Sequence, residues 1–222
     1  MRFVTPETPD LPRLRTDYPG DSGLAEADLA PDWPAQFAAW LAEAVAAGVP
    51  EPNAMVLATA DSSGRPSART VLLKGYDAGG FVCYTNLESR KGRQVRANPY
   101  ASLVFPWLPM HRQVVVCGEV QLVPRAEVEQ YFALRPRGAQ LGAWASRQSS
   151  VISSRQQLQD RYAEAKARFP EPGPVPVPEY WGGLRVIPET VEFWQGRPDR
   201  LHDRLQYRRV GPDSWVVERL AP

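Results

Sequence analysis

At 222 residues and 43% apolar content, the chain is long enough to bury one substantial core and not obviously two, so one domain is expected. Twenty-six Lys and Arg against 25 Asp and Glu leave a formal charge of +1, which excludes a global field drawing the protein onto nucleic acid or an anionic membrane. Any anion site has to be local. Cys83 and Cys117 lie in alternating or β-branched runs and read as small buried hydrophobes, with no CxxC pair. There is no apolar h-region near the start, and no stretch approaches the roughly 18 apolar residues of a membrane span; a soluble cytoplasmic protein is the expectation.

Residues 1–30 are rich in Pro, Asp and Gly with little periodicity and read as a loosely ordered arm; residues 31–222 form the expected domain. In "PDWPAQFAAWLAEAVAAG", Pro34 suits a first helical turn, Gly48 is placed to end the helix, and Phe37, Trp40, Leu41 and Val45 are expected to share its apolar face. Strand-like runs follow: "AMVLATA", "ARTVLLKGY" and "FVCYTN", joined by the turns "DSSG" and "DAGG". A short basic helix in "SRKGRQVRAN" stops before Pro99, and "ASLVFPW" and "RQVVVCGEVQLV" supply two more strands. Without βαβ alternation a parallel doubly wound sheet is disfavoured, and a mainly β, α+β fold built on a small antiparallel barrel or sandwich is expected. Pro124 opens a helix containing "AEVEQYFALR", and "SSRQQLQDRYAEAKARF" forms another that the connector "PEPGPVPVPEY" breaks. "GLRVIPETVEFWQG" and "LQYRRVGPDSWVVERL" return to strands, with "GPD" as a turn.

Three clusters combine cations with hydroxyls. In "RTVLLK", Arg69, Val71 and Leu73 alternate with Thr70, Leu72 and Lys74, so the two cations project to opposite faces of a strand. From this hexapeptide alone, a pair of solvated charges is the commoner outcome. In "YTNLESRKGRQ", Ser89 precedes a helical turn carrying Arg90 and Lys91, where hydroxyl, cations and free backbone N–H groups can converge on a phosphate; a capped surface helix is the plainer alternative. In "YFALRPRGAQLGAWASRQSS", Arg135 and Arg137 suit bidentate phosphate binding and Gln148 suits the polar edge of a heteroaromatic ring, whereas Trp144 reads as core packing. Near the C-terminus, Arg200, His202 and Arg204 alternate, so in an extended segment they would point the same way, and the flanking arginines would hold His202 neutral. His111, beside "PWLPM", reads as structural.

Taken in order, "RTVLLK", "YTN..SRKG.Q", "FPW", "RQV", "YF..RPR", "QLGAW.S.QSS", "YWGG.RV", "EFWQG" and "RLHDR" make the chain from about Arg15 onward resemble the pyridoxamine 5'-phosphate oxidase family. The resemblance implies an antiparallel FMN-binding split β-barrel with peripheral helices, and a homodimer holding two FMN molecules at the subunit interface. It also implies oxidation of pyridoxamine or pyridoxine 5'-phosphate to pyridoxal 5'-phosphate by oxygen, releasing hydrogen peroxide. Residues matching the family's FMN contacts are Arg69, Thr70, Val71, Leu72, Leu73 and Lys74, then Tyr84, Thr85, Arg90, Lys91 and Gln113, and finally Gln148, Ser149, Trp194 and Arg204. Those matching its substrate site are Lys74, Tyr131, Arg135, Arg200, Leu201 and His202, with Arg15 and Tyr18 of the arm as a lid; Arg200 and His202 are the catalytic candidates. Ala139 stands where the family usually has a serine touching the substrate phosphate, and Arg137 or Gln140 are the candidates to compensate. Two other readings stay open: a related split-barrel flavin oxidase acting on another small heteroaromatic, and an FMN or pyridoxal phosphate carrier without turnover.

Overall fold

The computed structural model describes residues 10–14, 17–18 and 23–222. Helix α1 (Trp33–Ala46) begins where Asp32 Oδ1 accepts from Ala35 N at 2.8 Å and Pro34 needs no intrahelical donor, and it ends at Gly48, whose φ of 68° favours glycine. Its buried face is Trp33, Gln36, Phe37, Trp40 and Ala44. Val45, expected on that face, is 60% exposed because it lies about 120° around the helix from the centre of the stripe. Leu41 packs at the stripe's edge.

The strands are β1 (Ala54–Ala60), β2 (Pro66–Leu72), β3 (Gly75–Asp77), β4 (Gly80–Asn86), β5 (Tyr100–Trp107), β6 (Arg112–Leu122), β7 (Trp181–Gln195), β8 (Asp203–Gly211) and β9 (Ser214–Arg219). All pairings are antiparallel, in the order β2-β1-β5-β6-β7-β4-β3, with β8 on β7 and β9 on β8. Strand β7 is the branch point. Its first residues, 181–186, pair with β4, and its last, 190–195, with β8, while β6 runs along both parts. The changeover lies at Pro188, which has no N–H for a ladder, and the register of β6 slips there between Cys117 and Gly118. A Cβ on Gly118 would lie 1.9 Å from the Ile187 carbonyl oxygen, so only glycine lets the two backbones meet at this bulge.

Three expectations change here. "ARTVLLKGY" is two strands, because Leu73 turns into the core, its N–H bonding to Asn53 O at 2.9 Å, and releases Lys74 from the β2 ladder. Cys83 is buried but Cys117 is exposed, since the alternation that buries Val114 and Val116 puts Cys117 on the other face of β6. Between the expected helices α3 (Arg125–Leu134) and α5 (Arg155–Arg168) lies a further one, α4 (Arg137–Ala145), packed through Leu141 and Ala145.

Two apolar clusters cover the sheet. The larger packs α1 against Phe81, Phe105, Trp107 and Phe193, and the smaller joins α3 to α5 with Val82, Val123 and Trp181. The Pro-rich connector has carbonyls to satisfy and few N–H groups of its own. Arg137 donates to Phe169 O and Gly173 O, Trp144 Nε1 to Pro176 O and Arg125 to Val177 O, which fastens it beneath α4. Within the arm, Leu24 is buried, and Arg219 links Leu24 O and Glu26 to the terminal hairpin. Among the described residues no helix is long and apolar enough to cross a membrane.

Candidate active site

Helix α2 (Arg90–Ala97) starts directly after β4, with Ser89 as its N-cap. The turn between them is tight: a Cβ on Gly92 would fall 2.2 Å from Leu87 O. This geometry buries Lys91, whose Nζ donates to Gln148 Oε1 at 2.7 Å and Thr85 Oγ1 at 3.2 Å. Arg69, on β2, reaches Leu57 O and Thr59 Oγ1 at 3.2 and 2.7 Å. Neither cation meets a carboxylate among the described residues. Burial and then the charge of Arg69 lower the pKa of Lys91, while burial and then Arg90 lower that of Arg69. Such a cluster, closing on the free N–H groups of a helix start, is complementary to a phosphate dianion.

Beside it lies an open cavity of about 660 Å³, lined by Thr70, Val71, Leu72, Lys74, Tyr84, Thr85, Lys91, Tyr131, Arg135, Ala139 and Gln148 from the expected residues. Arg69 stays behind this wall, because the alternation of β2 turns it toward Thr59; Leu73 is in the core, and Arg90 and Ser149 are exposed. Ser149 has a left-handed backbone, φ 70°. Tyr84 and Tyr131 stack at 4.1 Å, and the ring of Trp181 lies parallel to both at 5.5 and 6.1 Å. Arg135 Nη1 is buried with no hydrogen-bond partner. The Arg135 guanidinium, which no carboxylate pairs, the amine of Lys74 and the Tyr131 hydroxyl on one cavity suit a second phosphate. The residues present therefore fit both a flavin phosphate and a substrate phosphate.

Of the remaining expected residues, Tyr18, Trp194, Arg200 and His202 line another cavity, of about 650 Å³. Tyr18 packs against His111, His202 and Trp194 at centroid distances of 4.7, 5.7 and 6.0 Å, and Trp194 lies 4.6 Å from His202. His111 thus touches the arm, which its sequence context did not suggest. Arg15 lies outside the described residues. The N–H of Arg197 donates to His202 Nδ1 at 3.1 Å, which leaves the proton of the neutral ring on Nε2. Desolvation and then the charge of Arg200 lower the His202 pKa. Asp199 and Arg200 have left-handed φ of 55° and 62°, a strain that aims Arg200 toward the cavity. Leu201, between the two candidates, is 69% exposed.

Arg200, His202 and Arg204 do not share one strand face as expected. The chain turns at 198–200, and β8 starts only at Asp203. Arg204 instead sits in a cross-strand row with Trp194 and Gln113, clamped by Glu192 through contacts of 2.7 and 2.9 Å. Within one chain the site residues therefore form two separate groups. Gly183, opposite Tyr84, and Trp194, opposite Arg204, are eleven residues apart on β7 (194 − 183), about 35 Å of strand, and the two cavities share no lining residue.

Two family models match the chain. Residues 41–169 match the family model described as pyridoxamine 5'-phosphate oxidase, and residues 181–222 match the pyridoxine 5'-phosphate oxidase C-terminal dimerisation region. The chain is 58% identical to the pyridoxine/pyridoxamine 5'-phosphate oxidase of Salinispora arenicola, covering 99% of each chain, and 52% identical to that of Burkholderia multivorans, covering 96% of this chain and 99% of the relative. It belongs to the pyridoxine/pyridoxamine 5'-phosphate oxidase family. The structure of PhzG from Burkholderia lata, in complex with tetrahydrophenazine-1-carboxylic acid, superposes with a TM-score of 0.83 at 32% identity, over 91% of this chain and 99% of PhzG. A pyridoxamine 5'-phosphate oxidase-related, FMN binding protein from Nostoc punctiforme shares the fold at TM-score 0.68 and 20% identity, over 88% of this chain and all of the other. The expected antiparallel split barrel with peripheral helices is the observed fold.

Of the second group, Trp194, Arg200, His202 and Arg204 lie in the dimerisation region while Tyr18 and Gln113 lie outside it, and the first group lies outside it, Trp181 excepted. Ala139 faces the first cavity, and neither expected compensator is free to serve it. Arg137 donates to Phe169 O and Gly173 O at 2.6 and 2.7 Å, and Gln140 Nε2 donates to Phe132 O at 2.9 Å. Asn86, Ser146 and Trp181 also line that cavity and were not singled out from the sequence. Trp181 stood inside "YWGG", but its role depends on α3 folding over the start of β7.

Proposed function

We propose that the protein oxidises pyridoxamine or pyridoxine 5'-phosphate to pyridoxal 5'-phosphate as a homodimer, with FMN as its cofactor. Each active site takes its first half from one protomer and Arg200 and His202 from its partner. The observation that carries this reading is the set of cations lacking carboxylates on the first cavity, Lys91 for the flavin phosphate, with Arg69 behind it, and Lys74 and Arg135 for the substrate phosphate. When bound, FMN supplies the acceptor for the two electrons leaving C4' of the substrate, and oxygen carries them away as hydrogen peroxide.

The chain's own residues bind and orient. Lys74, Tyr131 and Arg135 fix the phosphate end, far from the reacting carbon, and their contacts contribute nearly equally before and during the reaction. Neutral His202 offers an N–H at Nε2, and Arg200 adds a cation beside it; together they suit the oxygen-bearing edge of a pyridine ring. The alcohol gives the aldehyde directly. The amine gives an imine that water hydrolyses to aldehyde and ammonia.

Anaerobic addition of pyridoxamine 5'-phosphate to FMN-loaded protein tests the reading. The visible flavin absorption is expected to bleach, and admitting oxygen to restore it with one peroxide formed per pyridoxal phosphate. Absorption that stays unchanged leaves the two alternatives, a carrier or an oxidase for another heteroaromatic.

A further inference from the structure

Trp181 opens β7 and is 6% exposed. Its N–H donates to Pro178 O at 3.0 Å, its carbonyl accepts from Arg125 Nη1 at 3.2 Å, and the β4 ladder sets it opposite Asn86, so the indole is anchored through its backbone. The Arg135 guanidinium carbon lies 4.8 Å from the centre of that indole and 5.4 Å from the Phe132 ring, which meets the indole edge-on. Burial lowers the Arg135 pKa, the phenol of Tyr131 opposes that shift, and no carboxylate takes part.

We propose that Trp181 is a positioning residue for the substrate phosphate, its ring face holding Arg135 in place without neutralising it. The inference rests on the reading that Arg135 meets that phosphate. Two arginines of this protein show the difference between the means of holding one. Arg204 Nε and Nη2 donate to the two carboxylate oxygens of Glu192, which spends its charge on the clamp. Arg135, which lines the cavity, is held by ring faces, which attract the cation but accept few of its hydrogen bonds, so its buried Nη1 stays without a partner and its charge is not spent on a carboxylate. A carboxylate in place of the indole would compete with the incoming phosphate; a ring does not.

The test is steady-state kinetics of FMN-loaded Trp181→Leu and Trp181→Phe, alone and with Arg135→Ala, alongside inhibition by inorganic phosphate and FMN titration of the apoprotein. For Trp181→Leu, KM for pyridoxamine 5'-phosphate and the inhibition constant of phosphate are expected to rise together about three- to tenfold, with kcat and FMN affinity unchanged. Trp181→Phe, which keeps a ring face, is expected to recover most of the loss. With Arg135→Ala already present, Trp181→Leu is expected to add nothing. Equal KM in Trp181→Leu and wild type, or the same penalty with and without the Arg135 guanidinium, overturns the inference. If Trp181→Leu does not fold, Phe132→Leu removes the second ring face and is expected to give the same pattern at smaller amplitude; its absence there overturns the inference equally. Wild type that fails to turn over pyridoxamine 5'-phosphate would instead sink the functional reading beneath it.

Discussion

Lys91→Met is expected to weaken FMN binding about ten- to a hundredfold while leaving the thermal midpoint of the apoprotein unchanged or higher. The two effects have one origin. In the apoprotein Lys91 is a buried cation with hydroxyl and amide partners but no counter-charge, and its lowered pKa records the cost of keeping it charged there. A methionine of similar length removes that cost and fills the same space. On the proposed reading the same ammonium becomes, with flavin bound, a charge-assisted donor to its phosphate, worth about 1.5 to 3 kcal/mol, which the variant lacks. Equilibrium titration of apoprotein with FMN, followed by flavin fluorescence, and a melt of the apoprotein measure both. Unchanged FMN affinity would place the flavin phosphate elsewhere.

His202→Ala and Arg200→Ala act on the other half of the site, and each is expected to lower kcat/KM for pyridoxamine 5'-phosphate by about a hundredfold with FMN still bound. The pH profile separates the two residues. Desolvation first, and Arg200 second, depress the His202 pKa below its ordinary value of 6.5, so the ring is neutral at neutral pH and activity should fall only on the acidic side of that value. Removing Arg200 removes the smaller cause. The acidic limb in Arg200→Ala is therefore expected to move to higher pH, and in His202→Ala the limb due to this group is expected to vanish. An acidic limb that stays in place in both variants would show that another group titrates, and loss of flavin from either would move that residue to the cofactor.

The strands and the first helix were legible because their signals are local. Strand β1 alternates buried and half-buried positions along its length, and α1 is bracketed by Asp32, Pro34 and Gly48. Helix α4 was not, since Pro136, Gly138 and Gly142 mask a nine-residue helix whose stability comes from packing Leu141 and Ala145 against its neighbours. The same limit applied at the site. Cations and hydroxyls could be picked out one by one, but the turn at 198–200 that takes Arg200 and His202 off the β8 face depends on two left-handed residues that no local pattern announces. Trp181 is a supporting residue only because α3 brings Arg135 over it. The separation of the site into two groups is a property of β7, long enough to pair with β4 at one end and β8 at the other.

That separation can be tested with two of the variants above. Lys91→Met damages the first half of a site and His202→Ala the second, so each homodimer carries two defective sites. Coexpressed on differently tagged chains and purified through both tags, they form a heterodimer in which one site collects both defects and the other none. With halves drawn from two protomers, the heterodimer is expected to regain about half of wild-type turnover of pyridoxamine 5'-phosphate, and an unfractionated random mixture about a quarter. Activity no higher than that of the two parent variants would contradict the account, because it would mean that each chain completes its active site alone.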